Sequence, residues 1–221
     1  MDPKWFEEIL YPFQDEVLAV AARVDTGFYL TGDTALGRVH LRHRYSEDLD
    51  LFVNDDDRFQ AWADRLLEAW RAEAAWRLSV QHRDPRFVRA LVSSGETQLK
   101  IEFVNDVRGR VGVPARHEGF GLLDTKENIL ANKVTALLDR EEPKDLADVW
   151  GLCRRGGLEL NDALVGASSK AVGVFAADVA RVLLGATADD WRLVRWIPPP
   201  PSAEEFLRDL RALGEGLLLV R

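Results

Sequence analysis

Asp48 and Asp50, in the run Asp48-Leu49-Asp50-Leu51-Phe52, are the residues best spaced for chemistry. Two apart on a strand, their carboxylates project to one side while Leu49 and Leu51 face the other. Anions held side by side repel, and a hard divalent cation with oxygen ligands relieves that repulsion. An exposed strand face would show the same spacing, and Asp55 with Asp57 repeats it in a stretch that reads as a solvated loop. Three neighbours add to the pattern. Gly32 sits sixteen residues before Asp48 in a strand–turn–helix junction, which can present free backbone N–H groups to a phosphate or can be a plain connector. Glu102, in Leu99-Lys100-Ile101-Glu102-Phe103-Val104, is the candidate third carboxylate. Three convergent carboxylates can hold two metals for in-line phosphoryl transfer, whereas Lys100 and Glu102 together also describe a strand with one wet face. Lys133 falls on the apolar stripe of Ile129, Leu130, Val134 and Leu137, where an ammonium needs an anion such as phosphate or a path to water.

The elements that must position these groups follow from periodicity. Phe13, Val17, Val20 and Val24 give helical spacing over 13–24, and 28–30 reads as a short buried strand. A short helix over 35–41 comes next, then strand alternation at Leu49, Leu51 and Val53. Phe59, Trp62, Leu66 and Trp70 predict a helix over 58–75. Strands are expected near 77–82 and 86–93, with a hairpin turn at Ser93-Ser94-Gly95-Glu96 leading into 98–104. After Pro114 the β pattern ends, and helices are expected over 125–140, 144–155, 160–184 and 203–214, the last behind the stiff run Pro198 to Pro201. The fold class is therefore α+β: a mixed sheet flanked by helices over 1–120, then a helical region over 121–221.

Composition narrows the class further. The 221 residues are 47% hydrophobic and 30% charged, which is ordinary for a globular chain and argues against disorder. The net charge of −8 does not advertise nucleic-acid binding, although Arg42-His43-Arg44 and the group Arg77, Arg83, Arg86 and Arg89 are local basic clusters. The single cysteine, Cys153, rules out an intrachain disulfide and a cysteine zinc cage, and the four histidines lack the HExxH spacing of a zincin. No run approaches the ~18 apolar residues of a membrane span, and the first residues lack the basic start and apolar stretch of a signal peptide. A cytoplasmic location is the expectation.

Gly32-Asp33-Thr34-Ala35-Leu36 followed by His43-Arg44-Tyr45-Ser46-Glu47-Asp48-Leu49-Asp50-Leu51-Phe52 resembles the AbiEii/AbiGii branch of the DNA polymerase β-like nucleotidyltransferases. These are toxins of type IV toxin–antitoxin and abortive-infection systems. Lys100-Ile101-Glu102 is similar to the superfamily's third carboxylate element, and Asn128 to Trp150 resembles the family's helical motif through Lys133, Arg140, Pro143-Lys144-Asp145-Leu146 and Asp148. The resemblance implies transfer of a nucleoside monophosphate from an NTP, ATP among the candidates, to a tRNA, other RNA or protein acceptor, with a cognate antitoxin as a possible partner. It implies that Asp48, Asp50 and Glu102 bind catalytic Mg²⁺ or Mn²⁺. Gly32, Asp33 and Thr34 would lie at the nucleotide phosphates with Arg44 and Ser46 near them, and Lys133 and Asp145 would complete the pocket. Asp33 departs from the family pattern, which has Gly or Ser there. A carboxylate ~4 Å from a phosphate charge costs roughly 1 kcal/mol in water and about 4 at an effective dielectric near 20. Asp33 therefore caps the following helix, is bridged by a cation, or weakens nucleotide binding, and the cap is the expectation. Two other readings compete. An aspartyl phosphohydrolase would continue its DxD with Gly-Thr, where this chain has Leu51-Phe52. A transferase fold retired to a binding module would tolerate Asp33.

Overall fold

Strict alternation of apolar and polar residues builds the sheet that carries the aspartates. The structure, a computed structural model, describes residues 2–219. Contacts divide the chain into two compact units. The first holds residues up to Ala35, Ser46–Arg108 and Pro114–Asp124; the second holds Leu36–Tyr45, Gly109–Val113 and the chain from Thr125 onward.

In the first unit the strands are β1 (Tyr29–Thr31), β2 (Leu49–Asn54), β3 (Arg77–Asp84), β4 (Phe87–Ser94), β5 (Thr97–Asp106), β6 (Ala115–His117) and β7 (Gly121–Leu123). Among the described residues they form one mixed sheet in the order β3-β4-β5-β2-β1-β7-β6. Strand β2 runs antiparallel to β1 and parallel to β5, and β3, β4 and β5 form an antiparallel meander. Leu49, Leu51 and Val53 of β2 and Leu99, Ile101 and Phe103 of β5 are buried on one face. The helices Tyr11–Ala21 and Phe59–Arg71 supply the aromatic and aliphatic side chains of the same core. Phe103 meets Phe28 at a ring separation of 5.1 Å and Trp70 at 5.7 Å. The Trp70 indole N–H donates to the Val17 carbonyl at 3.0 Å, so its one polar atom is satisfied inside the core. Burying each such side chain stabilises the fold by about 1.5–3 kcal/mol, which holds the backbone beneath the aspartates rigid.

The second unit is helical. The helix Lys126–Asp139 begins at Thr125, whose hydroxyl accepts the Asn128 N–H at 3.1 Å, and it packs against Pro143–Arg154 and Leu160–Ser168. Pro143 opens its helix where a missing N–H costs nothing. Ala176–Leu184 packs on Ala203–Leu219. Trp150, Trp196 and Phe206 meet edge to face at 5.5 to 6.0 Å. The segment ahead of the aspartate strand joins this unit through backbone bonds, from the Tyr45 N–H to the Arg195 carbonyl and from the Ile197 N–H to the His43 carbonyl.

Three sequence expectations are corrected. The β pattern does not end at Pro114: β6 and β7 follow, each three residues long and too short to show a period, and β7 pairs in parallel with β1. The helix expected over 160–184 is two helices, interrupted over 169–175, where Gly173 takes a positive φ of 84°. A further helix, Ala188–Leu193, starts with a capping box between Thr187 and Asp190. Among the described residues no helix is long and apolar enough to cross a membrane.

Candidate active site

Strand β1 ends at Thr31, whose hydroxyl donates to the Asp124 carboxylate at 2.6 Å. Gly32 then turns the chain with φ +64°, and Gly32–Thr34 forms the first helical turn. A Cβ at residue 32 would run into the Asp50 carboxylate, so the absence of a side chain lets this turn lie directly against the acidic strand. Thr31 occupies the N-cap position without a side-chain cap bond, and Asp33 stands inside the first turn. The expectation that Asp33 is the N-cap of the following helix is therefore corrected. The Thr34 hydroxyl is buried, shares a 2.8 Å hydrogen bond with the Ser46 hydroxyl, and donates to the Asp48 carbonyl. These bonds tie the phosphate-type turn to the start of β2.

Across β2 and β5 the register pairs Asp50 with Glu102, and on the other side of β2 Asp50 is paired with Thr31. Asp48, two residues before Asp50, projects to the same face. The Lys100 ammonium contacts Asp48 Oδ2 at 2.8 Å and Glu102 Oε1 at 3.4 Å, and the Arg89 guanidinium donates to Glu102 Oε1 at 2.8 Å. Strand geometry thus gathers Asp48, Asp50 and Glu102 with a cation already spanning two of them. Partial burial lowers the Lys100 pKa, but Asp48 and Glu102 outweigh it and leave the value above that of an ordinary lysine. The donors are all carboxylate oxygens, the kind that Mg²⁺ or Mn²⁺ takes.

The second unit holds Arg44, Lys133 and Asp145. Lys133 is buried, and its ammonium finds two carboxylates, Asp145 at 2.7 Å and Asp148 at 2.6 Å. The anion its position demands is thus supplied from inside the unit, and the route to water is not taken. Asp145 also accepts from Arg140 at 2.7 and 3.0 Å. Asp148, fully buried, receives both arms of the Arg44 guanidinium at 2.6 Å each. His43 Nε2 lies 2.9 Å from the same carboxylate. Burial alone would raise the Asp148 pKa, but Arg44, Lys133 and His43 hold it well below the usual carboxylate range. His43 is pulled below its ordinary value chiefly by burial, with Arg44 and Lys133 adding to the effect against the pull of Asp148. The imidazole is neutral and donates its Nε2–H to Asp148, which agrees with the unpartnered Nδ1.

Sequence reasoning placed no role on Lys100, offered Arg89 only as one of a basic cluster that could receive RNA phosphates, and named Asp148 only as part of the family's helical motif. Asp148 had a readable signal: Asp145 and Asp148 are three apart on one helix and so share a face, the face that meets Lys133. Three of the four arginines of the second basic cluster have acidic partners: Arg83 on Asp64, Arg86 on Asp55 and Arg89 on Glu102.

The profile of the family described as Nucleotidyl transferase AbiEii toxin, Type IV TA system, matches residues 17–211. The chain belongs to this family. It is a nucleotidyltransferase of the AbiEii toxin group, and its mixed sheet with helices agrees with solved structures. A Helicobacter pylori protein described as a candidate nucleotidyltransferase superposes with a TM-score of 0.67 at 19% identity, covering 98% of this chain and 96% of that one. JHP933 from Helicobacter pylori gives 0.66 at 19% identity, over 98% and 93%. MenT4, the nucleotidyltransferase toxin Rv2826c of Mycobacterium tuberculosis H37Rv, gives 0.63 at 17% identity, over 96% and 84%. At these identities the likeness speaks for the fold. No curated protein matches the sequence significantly.

Proposed function

We propose that this AbiEii-type chain is a metal-dependent transferase that moves a nucleoside monophosphate from an NTP to an RNA acceptor such as tRNA, or to a protein acceptor, and that a cognate antitoxin restrains it. The observation that carries the metal-dependent reading is the register that sets Asp50 between Glu102 and the Gly32 turn, with Asp48 on the same face. Asp48, Asp50 and Glu102 would hold Mg²⁺ or Mn²⁺, which when bound neutralises charge on the triphosphate and on the attacking oxygen. The backbone of Gly32 to Thr34, with the Thr34 and Ser46 hydroxyls fixing its position, would orient the phosphates. The acceptor oxygen attacks the α-phosphorus, its proton passes to a carboxylate of this group, the bond to the β-phosphate oxygen breaks, and pyrophosphate leaves. Arg89 holds Glu102 in one orientation from the outer side. We assign the metal role to Asp48, Asp50 and Glu102 and the phosphate role to the Gly32–Thr34 turn.

The test is incubation of the whole chain with each labelled NTP, Mg²⁺ or Mn²⁺, and total tRNA or lysate. Label should enter an acceptor with release of pyrophosphate, and Asp50→Asn should lower the rate at least a hundredfold. Absence of both transfer and nucleotide binding would refute the reading; nucleotide binding without any turnover would favour a retired module.

A further inference from the structure

We propose that Lys100 is a tethered counter-cation of the acidic face, seated between Asp48 and Glu102 until a divalent ion displaces it. The inference rests on the metal reading above and adds a residue to it. The Lys100 ammonium lies 2.8 Å from Asp48 and 3.4 Å from Glu102, on a side chain that is 36% exposed. A divalent ion bound through the same oxygens sits about 2.0–2.6 Å from them, so ion and ammonium exclude each other. Charge balance makes the exchange feasible. Asp48, Asp50 and Glu102 contribute −3, and Lys100 with Arg89 returns +2. With one divalent ion in place and Lys100 turned outward, Arg89 and the ion together cancel the −3. The flexible four-carbon stem and partial exposure allow that turn, whereas Arg89 keeps its bond to Glu102.

Two consequences follow. The free enzyme binds divalent ions more weakly than its three carboxylates would on their own. The displaced ammonium is then free to pair with the incoming triphosphate, so metal and nucleotide enter cooperatively. The decisive experiment measures Mn²⁺ binding by electron paramagnetic resonance on the whole chain without nucleotide. Lys100→Met should bind Mn²⁺ at least fivefold more tightly than the unmodified protein, and Lys100→Arg should stay within twofold of it. Lys100→Gln, polar but uncharged, should follow Lys100→Met and serves if the methionine variant does not fold. In EDTA the Lys100→Met protein should melt at a lower temperature than the unmodified one, with a larger upward shift on adding Mn²⁺. Equal affinity in the two proteins, abolished in both by Asp50→Asn, would overturn the role of Lys100 and leave the metal site standing. No Mn²⁺ binding in either protein would overturn both.

Discussion

Asp148→Asn tests whether one carboxylate organises the charged interior of the helical unit. Asp148 is fully buried and receives Arg44 twice at 2.6 Å, Lys133 at 2.6 Å and His43 at 2.9 Å. The amide removes one negative charge from among Arg44, Lys133 and Arg140 and turns a donor toward groups that are themselves donors. Breaking a buried ion pair by neutralising one partner costs about 3–5 kcal/mol, because the surviving charges stay desolvated. For a chain of this length that is a fall in melting temperature of roughly 6 to 20 °C. Urea unfolding followed by tryptophan fluorescence reads the loss directly, since Trp150 lies on the same helix. Arg44→Met should cost a comparable amount alone, and the double variant should cost clearly less than the sum, giving a coupling of at least about 1 kcal/mol. A loss under about 1 kcal/mol for Asp148→Asn, or strictly additive effects, would refute the claim.

His43 is held neutral, so its pKa lies below the 6.5 of an unfolded chain. As pH falls below that value the unfolded state takes up a proton that the folded state refuses, and stability should fall by up to ~1.4 kcal/mol per pH unit; above it the contribution is constant. His43→Asn, which still donates to Asp148, should flatten that slope in urea titrations between pH 7 and 5. Gly32→Ala forces an L-residue into φ +64° and sets its Cβ on the Asp50 carboxylate, so it should cost about 1–2 kcal/mol of stability and lower nucleotide transfer at least tenfold. Glu102→Gln keeps the shape of the third acidic side chain but removes its charge; transfer should fall at least tenfold with the melting temperature within a few degrees, and unchanged transfer would remove Glu102 from the site.

The strands that carry the aspartates were legible because β2 and β5 are buried on one face and follow a clean period of two. That same alternation told which side Asp48, Asp50 and Glu102 share, but only the parallel pairing of β2 with β5 sets Asp50 beside Glu102, and pairing is non-local. Lys100 looked like ordinary strand polarity because its shorter contact, to Asp48, is made to a segment far away in sequence. Strands β6 and β7 escaped notice since three residues hold no period. Lys133 was conspicuous from its place on an apolar stripe, yet its partners, twelve and fifteen residues on, depend on how two helices meet. The interruption over 169–175 hides in a long helical pattern that includes two glycines, Gly166 and Gly173, and only the second falls at the break.

Arg44 and His43 stand about a hundred residues before the aspartate that neutralises their surroundings. A nascent chain paused after the sheet is complete has a guanidinium that must stay in water, because nothing inside has yet been made to receive it. The helical unit therefore closes only after the ribosome has delivered Asp148 and the Arg195–Ile197 segment that hydrogen-bonds to the backbone of His43 and Tyr45. A chain that stops short of Asp148 has no carboxylate with which to bury its Arg44 guanidinium in this way.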